Sequence, residues 1–154
     1  MKETNISTNK NNLPIWDLSE IYTDIKDPRI KKDLENIRNF SKDFSTKWKG
    51  KIKTLNSEEF VECIDQYQNL NEKIYKIGTH SNLSFASNME DPEISRYNST
   101  TSDEVTEIFS SLIFVTLELS KINDDIINKW VVNDKVKQWL PYLKILRKRN
   151  PFLL

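Results

Sequence analysis

The chain has one cysteine, Cys63, and one histidine, His80, so any nucleophilic or metal chemistry of the usual kind must start from these two. A thiol–imidazole pair works only within about 3 Å. Both residues fall in one stretch of helical periodicity, 17 positions apart, and a helix of that length separates their backbones by about 25 Å. They read as ordinary constituents: Cys63 as a small group of a helix core or surface, His80 as a polar group near a helix face. Structural and hydrolytic zinc sites draw mainly on His and Cys. One of each makes neither such a site nor a His-Glu-x-x-His pattern.

Acidic and phosphate-binding patterns are no stronger. Glu58-Glu59 and Asp124-Asp125 stand where helices start, and capping explains them. Asp24-Ile25-Lys26-Asp27 lacks the ligand spacing of a calcium loop. Two isolated glycines make neither a P-loop nor a dinucleotide turn. The one local charge imbalance is the run Lys144, Arg147, Lys148, Arg149, read as a basic last turn or as a contact to further chain. No residue is therefore assigned a catalytic, cofactor-binding or metal-binding role, and no cofactor is expected in this chain.

The elements around these residues are helical. The chain has 154 residues, enough for one domain, with 37% apolar and 30% charged groups, a mix that fits a globular protein. Formal net charge is zero, so no strong field draws it to nucleic acid or an anionic membrane. A single thiol gives no sign of an oxidising compartment. No apolar run approaches the roughly 20 residues that span a bilayer. The polar stretch Met1 to Asn12 lacks both the apolar run of a secretory signal and the arginines of a transit peptide. Cytoplasmic location is the expectation.

Residues 1–12 read as a disordered leader. Leu13 to Tyr22 reads as an extended arm with no strand partner nearby, packing Trp16, Leu18 and Tyr22 onto helices. Asp27-Pro28 predicts a helix start, with a stripe Ile30, Leu34, Ile37, Phe40, Phe44, Trp48 and a stop at Gly50. A second helix begins at Asn56 or Ser57 and runs through Gly78 to about Ser87, at a glycine cost near 1 kcal/mol. Asp91-Pro92 starts a third, whose stripe runs from Ile94 to Ile122. The short connector between them predicts an antiparallel hairpin. Asn123-Asp124-Asp125 caps a shorter helix, and Pro141 kinks or restarts the last one. Trp48, Trp130, Trp139 and Phe109 read as core. The fold class is all-α, an antiparallel bundle of long helices with an extended N-terminal arm.

Five stretches, in order, resemble the N-terminal region of oligoendopeptidase F, a zinc metallopeptidase of the thimet oligopeptidase superfamily. They are Leu13 to Tyr22; Trp48-Lys49-Gly50-Lys51-Ile52; Leu83-Ser84-Phe85-Ala86 with Asp91-Pro92; Leu117-Glu118-Leu119 with Ile122-Asn123-Asp124; and Tyr142-Leu143, Leu146-Arg147 and Pro151. The resemblance covers nearly all of residues 13–154. It implies an N-terminal helical domain that helps wall a deep channel, restricting substrates to short peptides. It also implies that zinc, held through His-Glu-x-x-His and a later Glu, belongs to a catalytic domain absent from this chain. Phe152 departs from the family, which has a His there, and Ser87-Asn88 stand where it often has polar or acidic residues. On this reading the chain is a truncated piece of such an enzyme, inactive alone, whose partner is a separately encoded catalytic half. A free-standing helical interaction module or a non-functional gene remnant is the alternative.

Overall fold

In the computed structural model the described residues are 7–8, 14–15 and 19–149, with the side chains of 7–8, 14–15 and Arg149 excepted. They hold six α-helices: α1 (Pro28–Trp48), α2 (Ser57–Ser87), α3 (Pro92–Ser120), α4 (Asp124–Trp130), α5 (Asp134–Lys137) and α6 (Leu140–Arg149). A 3₁₀ turn covers Ile52–Thr54. The all-α class stands. The extended arm differs from expectation in one respect: Pro14–Ile15 (β2) does have a strand partner, pairing antiparallel with Ser7–Thr8 (β1). That partner comes from the preceding leader, where a sequence read for apolar alternation offers no signal. The other leader residues, and Trp16 and Leu18 of the arm, lie outside the described residues.

The chain divides into two compact units, Met1–Arg38 with Glu72–Glu107, and Asn39–Asn71 with Ile108–Leu154. In the first unit the segment before α1 is tied down by side chains. Tyr22 is 1% exposed, and its hydroxyl donates to Asp33 Oδ2 at 2.7 Å. Asp27 Oδ1 accepts the Arg29 N–H at 2.9 Å, the N-cap arrangement that Pro28 at the first helical position favours. Asp27 Oδ2 takes both the N–H and the hydroxyl of Thr23. Asp91 repeats the cap at α3, accepting the Glu93 N–H at 2.9 Å. Ile30, Ile37, Ile74 and Ile77 supply buried apolar groups. Arg38 of α1 pairs with Glu104 of α3.

The second unit buries larger groups. The Trp130 ring lies 4.0 Å from that of Phe60 at an interplanar angle of 8°. Its indole N–H donates to the Leu55 carbonyl at 2.8 Å, so the one polar atom of a buried ring is satisfied. Trp48 is also buried, and its Nε1 donates to Gln66 at 2.9 Å. α2 opens on a reciprocal capping box. Asn56 Oδ1 accepts the Glu59 N–H, and Glu59 Oε2 accepts the Asn56 N–H, both at 2.9 Å. At the next cap Asn123 serves, accepting from Ile126 N, with Asp124 and Asp125 inside the first turn. Pro141 restarts the chain as α6 rather than kinking a longer helix.

Two expected core residues are exposed. Phe40 is 52% exposed while Ser41 is 2% exposed. Burial follows Ile37, Ser41, Phe44 and Trp48, whose steps of four, three and four stay in phase, so Phe40 stands about 100° off that face. Phe109, 42% exposed, is offset in the same way from the buried line Ile108, Leu112, Val115, Leu119. Trp139 is half-buried, edge-on to Tyr142.

Candidate functional site

Cys63 is buried on α2, in the second unit. Burial, aided by the nearby Glu118 and Glu62 carboxylates, pushes its thiol up to about 12. A thiol so disfavoured as thiolate is a core group, not a nucleophile.

His80, in the first unit, is 1% exposed. Its Nδ1 lies 2.8 Å from the Tyr97 hydroxyl, and Thr101 bonds Tyr97 in turn. The main chain of Tyr22 also favours the protonated ring. We assign Nδ1 as the acceptor for the Tyr97 hydroxyl, which places the neutral ring's proton on Nε2. The Tyr22 ring meets the imidazole edge-on at 5.1 Å. Burial holds the imidazole below its ordinary value, opposed by Asp27, Asp24 and the Tyr22 main chain. Burial also raises the Tyr97 phenol to about 12. A cleft of about 550 Å³ opens beside this group, lined by residues that include Asp24, Lys26, Asp91 and Glu93. The cleft's lining includes Ser84 and Ser87 of α2, and the hydrogen bond of His80 goes to Tyr97 rather than to either hydroxyl. The arrangement clamps the segment around Tyr22 to α2 and α3.

In the second unit the main-chain N–H of Gly50 lies beside the Glu118 carboxylate and favours its charged form. Its Oε2 is buried with no partner among the described residues. Burial raises the carboxyl above its ordinary value, and Lys49 and Lys53 act against that rise. Gly50 sits at φ +79°, the left-handed conformation that ends α1 and turns the chain.

The strongest local charge lies elsewhere in the second unit. An open cleft of about 590 Å³ is lined by Ser120, Lys121, Ile122 and Asn123 on one side and by Lys144, Arg147 and Lys148 of α6 on the other. Arg147 reaches Asp124 Oδ1 at 2.6 Å. The sequence singles out the α6 cations. It does not show that Lys121, from the turn between α3 and α4, joins them, because no short motif links positions so far apart. Arg149 has its side chain outside the described residues.

The zinc implied by the family resemblance does not fit the residues present. Among the described residues no three His, Cys, Asp or Glu side chains converge on a point that could hold a metal. The lone His and lone Cys belong to different units. No helix among the described residues is long and apolar enough to cross a membrane. Compared with protein-family models, curated proteins and solved structures, the chain matches none of them.

Proposed function

We propose that this chain is the N-terminal helical domain of an oligoendopeptidase F-like zinc metallopeptidase, inactive alone and completed by a separate catalytic half. The observation that carries the reading is the contact between two of the resembling stretches. Gly50, in Trp48-Lys49-Gly50-Lys51-Ile52, brings its main-chain N–H beside Glu118, in Leu117-Glu118-Leu119, and favours the carboxylate's charge. A joint of this kind gives a physical reason for the two stretches to occur together. Trp48 and Ile52, which flank the turn, are 4% and 0% exposed, so the first stretch is built into a core rather than a loop.

The finer architecture belongs to the same proposal. We read α2 as running against α1, because in the second unit Phe44 and Lys47 of α1 meet Tyr67 and Glu62 of α2 in reverse order. The short connector 88–91 favours the same relation between α2 and α3. On the second unit Phe109, Ile113 and Leu117 stand exposed at steps of four along α3. A large apolar row left in water is what a domain cut from a larger assembly shows. In this reading zinc and the glutamate that activates water reside on the catalytic half. This chain supplies a channel wall that admits short peptides, in the cytoplasm.

The test has two parts. The purified chain, supplemented with zinc, should leave a quenched fluorescent peptide uncut, and chelator-sensitive cleavage by the chain alone overturns the proposal. The coding sequence downstream of this region, in the same frame or another, should encode His-Glu-x-x-His, and combining the two products should restore cleavage. Finding no such sequence overturns the peptidase reading and favours a helical interaction module or a remnant.

A further inference from the structure

We infer that the cleft between the α3–α4 turn and α6 is a binding site for a compact polyphosphate group. Lys144, Arg147 and Lys148 stand at i, i+3 and i+4, so their side chains share one face of α6. Lys121 approaches from the opposite wall. Among the described residues Lys121, Lys144 and Lys148 have no ion-pair partner, and Arg147 has one, the exposed Asp124.

The structural explanation for these cations is the ends of α3 and α6, whose last carbonyls each carry about half a negative charge. One cation would balance both. Adding Asp124 still leaves about two positive charges of the four that line the cleft. Like charges at i and i+4 also weaken a helix by a few tenths of a kcal/mol, so Lys144 and Lys148 work against α6 itself. Asn123 adds a donor. Its Oδ1 is committed to the Ile126 N–H, and the residue lines the cleft, so the NH₂ is the group it has left to offer.

Size and lining select the ligand class. The cleft is open, about 590 Å³, so a ligand there is held by charge rather than by enclosure. Its one large apolar residue, Ile122, is 4% exposed, so no anchor is offered to a peptide side chain. No aromatic ring lines it, so no base would stack there as in single-strand recognition. Lysines act on phosphate as point charges, and adjacent phosphates concentrate the charge that three lysines and an arginine would meet.

The test titrates the ¹⁵N-labelled full chain with sodium tripolyphosphate at about 50 mM salt, where surface charge is weakly screened. Shifts should concentrate in residues 120–123 and 144–148 of the unmodified protein, a footprint that requires no variant to fold. Lys144→Ala with Lys148→Ala should weaken binding about tenfold or more. Lys31→Ala with Lys32→Ala, the same charge change on exposed positions of α1, should leave it within about twofold. ATP without magnesium binding no tighter than tripolyphosphate identifies a phosphate chain as the whole ligand. Tighter ATP binding makes a nucleotide its source. Equal loss in the two double variants, or no localised shift, overturns the site. A hexaglutamate peptide binding more tightly than tripolyphosphate overturns the ligand class.

Discussion

The main-chain N–H of Gly50 lies beside the carboxylate of Glu118 and favours its charge, bringing the turn after α1 to the last turns of α3. That N–H supports an acid where burial disfavours its charge. Lys49 and Lys53 oppose that penalty without cancelling it, since the carboxyl remains raised.

Glu118→Gln keeps an oxygen for Gly50 and removes the buried charge. A raised folded-state value means the folded protein binds the proton more tightly than the unfolded chain does. The wild type is therefore penalised above that value and relieved as pH falls through it. Glu118→Gln should raise the urea midpoint at about pH 7.5, and the gain should shrink toward about pH 4, near the ordinary glutamate value. A variant less stable than wild type at pH 7.5 would show that Gly50 requires the ionised acceptor.

The two glycines should respond in opposite directions to the same substitution. Gly50 has φ +79° and open space where a Cβ would stand, so Gly50→Ala meets backbone strain alone, about 1–2 kcal/mol. Gly78 lies inside α2, also with nothing within 4 Å of an added Cβ. There alanine only restricts the unfolded chain and improves helix propensity, so Gly78→Ala should stabilise by about 0.5–1 kcal/mol. Paired denaturation curves check both signs, and a destabilised Gly78→Ala would mean that α2 needs a distortion at that point.

The helix ends were the most legible part of the fold, because Asp27-Pro28 and Asp91-Pro92 each join a capping acceptor to a residue without an N–H. The continuity of α2 through Gly78 was legible too, since Ile74, Ile77 and Ser81 hold one buried phase across it. Phase within a stripe was less so. Ile37 to Phe44 can be bridged through Phe40 or Ser41, and hydrophobicity favours the wrong one. The partners across elements were not legible at all. Tyr97 meets His80, and Lys121 faces α6 across a cleft, through arrangements that only the folded chain creates.

His80 accepts a hydrogen bond from Tyr97 through Nδ1, and that is possible only while the ring is neutral. Its value is lowered in the fold, first by burial, with Asp27, Asp24 and the Tyr22 main chain opposing. Lys26, Asp91 and Glu93 line the same cleft. The sign follows from linkage: the neutral ring contributes its stability in full above the unfolded-state value, about 6.5. That contribution is lost as pH falls from there through the lowered folded-state value. The wild type should therefore lose stability between about pH 7 and pH 5, and His80→Gln, which cannot titrate, should lose less over the same interval. Tyr97→Phe leaves Nδ1 buried without a donor and should cost about 1–3 kcal/mol at pH 7.5. Because an unsatisfied Nδ1 takes up a proton more readily, the cost should diminish as pH falls. Thermal denaturation of the three proteins across that range measures all of these effects. Parallel pH profiles for wild type and His80→Gln would remove the imidazole from the account and leave the carboxylates as the source of any acid lability.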